Sequence, residues 1–172
     1  MTGPGPGGDA AGSGVLLGVD VGEARVGLAA SDPVGLLAHP VATLPRDHEG
    51  GADLDEIAAE VLSRGAVAVV VGLPRSLSGA EGLAAQRARH YADSLQRRVE
   101  VPVRLWDERL TTVDAHRNLR RSGVRGRDQR SVVDQAAAVL ILQAALDARN
   151  AGRPVGVPLR ARKPRARRSG PT

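Results

Sequence analysis

Residues 18–32, GVDVGEARVGLAASD, place a carboxylate, Asp20, between two valines in what is otherwise the pattern of a buried strand. Two apolar runs rich in β-branched residues flank a tight connection at residues 22–24, which predicts two strands paired as a hairpin. An acidic side chain within such a strand is costly unless it has a partner or a task. The stretch therefore predicts the first hairpin of a sheet and a candidate functional residue.

The rest of the chain alternates between strand and helix patterns. Further strands are predicted at 39–45 (HPVATLP), 66–72 (AVAVVVG) and 101–106 (VPVRLW). Apolar side chains at helical spacing predict helices at 53–64, 81–98 and 131–150, with a short helix at 111–123. This order predicts a single α/β domain, with a mixed sheet of about five strands flanked by helices, and it is compatible with a ribonuclease-H-like architecture.

Both ends of the chain differ in composition from the body. Residues 1–14 are rich in Gly and Pro, and 150–172 in Pro, Gly and Arg, so we predict disordered tails around a domain at 15–149. Residues 153–172 hold seven basic residues and no acidic one, which leaves 17 of the 24 basic residues against 19 acidic ones elsewhere. The basic tail is either a loose contact to nucleic acid or a solubilising extension.

Composition excludes several classes of function. The chain has no cysteine, which rules out disulfides, thiolate metal sites and a cysteine nucleophile. One Trp and one Tyr are its only aromatic residues, so stacking platforms for single-stranded bases are missing. We see no signal-peptide pattern and no apolar run near the ~20 residues that span a membrane, so we expect a cytoplasmic protein without membrane contact.

Most acidic residues lie on predicted polar faces or in loops, but three do not. Asp20 is inside the first strand, Glu108 closes the last strand beside Asp107, and Asp134 begins the long apolar helix. Carboxylates at strand ends and a helix start can converge at the ligand-binding edge of a sheet. Oxygen ligands suit Mg²⁺ or Mn²⁺, and two such ions can promote phosphodiester hydrolysis. We predict these three acids as catalytic metal ligands, with Asp107 as an additional candidate.

Each of the three acids also has a purely structural interpretation. Asp20 could cap a turn through Gly22, and Glu108 could pair with Arg109 at the surface. The segment SVVD (131–134) has the pattern of a capping box that would start the long helix. The two interpretations of Asp134 are compatible, because it could start the helix and still face the metal site.

Four arginines lie in or beside the loops that would flank the carboxylates: Arg75, Arg109, Arg125 and Arg127. They are candidate contacts to nucleic-acid phosphates, and the alternative is an ordinary solvated arginine at each position. The spacing of Gly22 and Gly27 resembles part of a phosphate loop. No Lys-Ser/Thr pair follows, however, so the sequence does not contain a P-loop.

Four segments together resemble the YqgF/RuvX family, relatives of the Holliday-junction resolvases: GVDVGEARVGLAASD, VVVGLPRSLSGAEG, DERLTTVDA and VDQAAAVLILQ. The resemblance covers residues 15–147 and implies a ribonuclease-H-like fold and a metal-dependent nuclease. The family is associated with maturation of the 5′ end of precursor 16S ribosomal RNA. Asp20, Glu108 and Asp134 match its acids. The chain departs from the family at residues 76–78, Ser-Leu-Ser, where an Asn-x-Asp pair is frequent.

Three classes of function are open at this point. The first is a two-metal-ion nuclease acting on precursor ribosomal RNA or on a branched DNA junction, as a monomer or homodimer. The second, an actin-like ATPase or kinase, needs a second lobe for which 172 residues leave no room. The third is a non-catalytic nucleic-acid-binding protein of the same fold, whose basic tail would give it a strongly salt-dependent affinity.

Overall fold

The computed structural model describes residues 13–111 and 127–159, with the backbone alone at 127–129. In these ranges the strands are β1 Leu16–Val21, β2 Arg25–Ser31, β3 Ala38–Pro45, β4 Ala68–Leu73, β5 Val103–Asp107 and β6 Val157–Pro158. The α-helices are α1 Ala52–Arg64, α2 Leu83–Gln96 and α3 Arg127–Asn150. A short 3-10 helix, Glu108–Leu110, follows β5 directly.

All the described strands belong to one mixed sheet with the order β3-β2-β1-β4-β5-β6. β1, β4 and β5 run parallel, whereas β2, β3 and β6 join by antiparallel pairing. The carboxyl ends of the three parallel strands therefore lie at one edge, which we call the carboxyl edge of the sheet. The predicted fold class is confirmed, and the sixth strand was missed because two residues, Val157 and Pro158, carry no periodic pattern.

Helices cover both faces of the sheet. α1 and α2 enclose one buried cluster, which includes Leu17 and Val19, and α3 encloses the other, which includes Leu16. Side chains alternate between the faces along a strand, so Asp20 shares the face of Leu16. The alternation thereby directs the one acid of β1 toward α3, at the carboxyl edge of the sheet.

The long helix α3 is a core helix of this fold. Its segment Arg130–Asn150 is long and apolar enough to cross a membrane by length and composition, contrary to the expectation from sequence. In the structure, Ile141, Leu142 and Leu146 are fully buried against the sheet. The apolar stripe of α3 is thus used in packing on β1, β2 and β4.

The start of α3 corrects a prediction. The helix begins at Arg127, so the SVVD segment lies within it and does not act as its N-terminal capping box. The Ser131 carbonyl instead accepts a hydrogen bond from the Thr43 hydroxyl at 2.7 Å. The first turns are polar, and their arginines and glutamine favour a helix without showing an apolar stripe. Apolar periodicity therefore marked only the buried part of α3.

The carboxyl-terminal boundary of the domain also lies later than predicted. Val155 is only 3% exposed, and β6 pairs with β5 through Val157 and Leu105. A truncation that removes only the basic tail therefore has to end at Leu159, beyond the predicted limit of 149. Of the tails predicted at 1–14 and 150–172, residues 1–12 and 160–172 lie outside the described residues, as does the short helix predicted at 111–123 beyond Thr111.

A buried polar cluster fixes the turn between β1 and β2. The Asp53 carboxylate, with 1% of its side chain exposed, lies 3.4 Å from Arg46 Nε and accepts a hydrogen bond from the Tyr91 hydroxyl at 3.0 Å. Burial raises the pKa of Tyr91, which keeps the hydroxyl a neutral donor. Arg46 Nη1 also donates to the Gly22 carbonyl at 2.9 Å. The turn that follows Asp20 is therefore anchored to α1 and α2.

Candidate active site

Asp20 and Glu108 lie on the α3 face, on either side of β4. The pairing of Val19 with Val71 puts Asp20 level with Gly72 of the neighbouring strand. Glu108 folds back over the same glycine, because a Cβ built on Gly72 would lie 2.7 Å from Glu108 Oε1. Adjacent strands are about 4.8 Å apart. The Glu108 carboxylate therefore lies about one strand away from Asp20, and Gly72 leaves the space that this approach needs.

Helix α3 brings Asp134 to the same place. Gly27 pairs with Asp20 across the β1–β2 hairpin, so both positions face the same side of the sheet. A Cβ on Gly27 would overlap the Asp134 carbonyl oxygen, so the helix backbone touches the sheet there. The backbone of Asp134 therefore lies against β2 opposite Asp20, on the face of the sheet that Asp20 and Glu108 share.

Arg25 is a site residue that the sequence interpretation missed. It precedes Gly27 by two positions on β2 and so shares its face. Its Nε donates to Asp134 Oδ2 at 2.7 Å, with 38% and 25% of the two side chains exposed. The sequence signal for it was the strand alternation in residues 18–32, which puts Arg25 on the same face as Gly27, the partner of Asp20 in the hairpin.

The donor types of the three acids suit a hard divalent cation. As arranged, no three acidic or histidine side chains among the described residues could hold a metal ion. The carboxylate of Asp134 is engaged by Arg25. Three carboxylates without sulfur ligands nevertheless match the preference of Mg²⁺ and Mn²⁺. The absence of a side chain at Gly72 gives room to Glu108 Oε1 and to Ile141 Cδ1, which lie where a Cβ would be.

Asp107, the additional candidate ligand, lies on the opposite face. It follows Leu105 by two positions, and Leu105 packs in the cluster of α1 and α2. Its Oδ2 is 2.6 Å from Arg109 Nη2 and 3.5 Å from Arg75 Nη1. The hydrogen bonds from the Arg109 side chain hold the pKa of Asp107 below its usual value. Asp107 thus starts the turn that carries Glu108 and points away from the other three acids.

The loop after β4 is closed by an ion-pair network. Glu81 accepts hydrogen bonds from Arg89 Nε at 2.8 Å and from Arg75 Nη2 at 2.9 Å. Of the four predicted phosphate contacts, Arg75 and Arg109 are therefore paired with carboxylates. Arg125 lies outside the described residues, and only the backbone of Arg127 is described. The structural alternative for Glu108 was a surface pair with Arg109, but Arg109 pairs with Asp107 instead.

We expect the Glu81 carboxyl to titrate at a pH of about 2, because hydrogen bonds from Arg89 and then Arg75 lower its pKa from 4.5. Because the pKa is lowered, the contribution of the two ion pairs to holding the loop is complete above pH 4.5. It is lost as the pH falls toward 2 and Glu81 becomes protonated. Carboxyl ¹³C NMR of the folded protein measures this midpoint. Arg89→Gln should raise it, and a wild-type midpoint near 4.5 would contradict the network.

The fold defines the class of protein. Thermus thermophilus RuvC, solved in complex with a Holliday junction substrate, aligns with a TM-score of 0.50 over 82% of this chain and 98% of its own, at 19% identity. A second structure of Thermus thermophilus RuvC also gives a TM-score of 0.50, over 84% and 99% of the two chains at 17% identity. This likeness shows a ribonuclease-H-like fold.

Sequence comparison defines the family within that class. The profile of the RuvX family, described as Holliday junction resolvase, matches residues 14–148. A protein of Kineococcus radiotolerans is 57% identical over 164 residues, covering 92% of this chain and 87% of the relative. One of Frankia casuarinae is 57% identical over 144 residues, covering 83% and 71%. Both are named "Putative pre-16S rRNA nuclease". The chain belongs to the RuvX family, which confirms the resemblance seen in its motifs.

Proposed function

We propose that this protein is a divalent-metal-dependent nuclease that hydrolyses phosphodiester bonds in structured nucleic acid. The observation that carries the proposal is that Asp20, the Glu108 carboxylate and the Asp134 backbone lie on one face of the sheet, beside Gly72 and Gly27. We propose the 5′ end of precursor 16S ribosomal RNA as its substrate, which the names of the relatives support. The family description supports a branched DNA junction as the alternative substrate.

The proposed catalytic roles follow from the positions of the three acids. Asp20 and Glu108 would hold Mg²⁺ or Mn²⁺ from opposite sides of Gly72, and Asp134 would complete the ligand set. A pair of such ions supplies a water of lowered pKa and stabilises the leaving oxygen. No side chain of the protein then has to act as a general base.

The charges around the loop after β4 support contact with a phosphate backbone. Three guanidinium groups, those of Arg75, Arg89 and Arg109, share two carboxylates, Glu81 and Asp107. The network therefore keeps one net positive charge next to the carboxyl edge. We propose that Arg75 and Arg109 contact phosphates from within this network, and that the protein acts in the cytoplasm as a monomer or homodimer.

A cleavage assay with the full chain tests the function. The substrates are a structured RNA that spans the precursor 5′ end, the same RNA without its leader, and a four-way DNA junction, each with Mg²⁺, Mn²⁺ or EDTA. We expect cleavage of the precursor RNA with either metal and none with EDTA. Cleavage confined to the junction would assign the alternative substrate. Binding without cleavage under every metal condition would reject the nuclease.

A further inference from the structure

The pairing of Arg25 with Asp134 places a fixed cation inside the proposed metal site. The two residues are 109 positions apart in sequence, and the contact joins Arg25 Nε to Asp134 Oδ2 at 2.7 Å. Arg25 shares the α3 face with Gly27, which in turn pairs with Asp20. The guanidinium therefore lies beside the Asp134 carboxylate, on the face of the sheet that Asp20 and Glu108 share, and its charge offsets that of Asp134.

The contact with Arg25 also occupies the carboxylate of Asp134. In the described part of the chain, no three potential ligands are close enough to hold an ion. The carboxylate that would complete the set, that of Asp134, is bound to Arg25 through Oδ2. Since 38% of the Arg25 side chain is exposed, it can move into solvent without leaving a buried charge behind. Release of this pair is thus required before Asp134 can bind a metal through Oδ2.

We infer that Arg25 is a built-in counter-ion of the metal site, which holds Asp134 until a divalent cation displaces it. The inference rests on the proposed function, because it assumes that the three acids bind metal. Arg25 is a positioning residue in this scheme, since it acts through Asp134. Metal binding includes the cost of breaking a charge-assisted hydrogen bond, which is modest because both partners are partly exposed.

The inference predicts that loss of Arg25 strengthens metal binding. Titration calorimetry of the full chain with Mn²⁺ alone, in the absence of nucleic acid, should give about three- to tenfold tighter binding for Arg25→Gln. Arg25→Lys, which keeps the charge, should remain closer to wild type. Arg64→Gln is a matched control, because it breaks a 2.6 Å pair with Glu60 on the exposed face of α1. It should leave the Mn²⁺ affinity unchanged.

A second measurement follows the pair directly and avoids any effect of substitution on folding. In wild-type protein, the Arg25 Nε–H resonance should lose its protection from solvent exchange when Mg²⁺ saturates the site, and that of Arg64 should not. Unchanged or weaker Mn²⁺ binding by folded Arg25→Gln, or an Arg25 resonance that stays protected, would overturn the inference. If wild type binds neither ion, the proposed function itself fails, so the two failures are distinguishable.

Discussion

Asp20→Asn is expected to lower the rate of metal-dependent cleavage by about 10³-fold, since even residues that only support metal ligands contribute 10- to 100-fold. Asparagine has nearly the same shape as aspartate but supplies a neutral oxygen in place of an anionic ligand. Asp20 is opposite Gly27, which the α3 backbone touches, and level with Gly72, which lies beside Glu108. Single-turnover cleavage at saturating Mn²⁺ measures the effect.

The stability of the same variant separates a lost ligand from a damaged fold. Asparagine keeps the shape of aspartate, so the variant should remain folded in EDTA, and its melting temperature there gives the effect of the substitution on the fold. The increase in melting temperature that Mn²⁺ gives to wild type should disappear. Asp55→Asn is the control, because it removes an equally charged group whose side chain is 69% exposed on α1. Near-wild-type cleavage by Asp20→Asn would remove this acid from the mechanism.

Gly27→Ala is expected to destabilise the protein by about 2 kcal/mol, as overpacking of a close contact does. The added Cβ would overlap the Asp134 carbonyl oxygen, which is held in the backbone of α3 and cannot rotate away. This part of α3 therefore has to move off β2, and Asp134 moves with it. Urea denaturation gives the change in the free energy of unfolding.

The loss of activity should exceed what this destabilisation explains. At a temperature where folded Gly27→Ala predominates, cleavage should still be slower by at least about tenfold, because small displacements of catalytic groups are costly. Gly82→Ala is the matched control, since nothing lies within 4 Å of a Cβ at that position. It should cost about 0.5 kcal/mol, the preference for glycine over alanine at a helix N-cap. Equal stability of the two variants would contradict the close packing of α3.

Much of the site was predictable because its acids stand out from their local pattern. Asp20 interrupts an apolar strand, and Glu108 and Asp134 lie where a strand ends and near where an apolar helix begins. Periodicity also identified β1, β2, β4 and β5, because each buries a run of apolar side chains, and β3, of which only Leu44 is buried. These signals are local, so they can be recognised without knowledge of the neighbouring elements.

Other features were decided only by contacts between distant parts of the chain. Asp107 and Glu108 are adjacent in sequence, yet the alternation at the end of β5 directs them to opposite faces. The pair of Arg25 with Asp134 depends on α3 crossing β2 at Gly27, over a separation of 109 residues. Sequence by itself determined which elements form and which acids are out of place, because both follow from neighbours along the chain. Tertiary structure alone decided which charges meet, because that depends on register and on how closely a helix can approach the sheet.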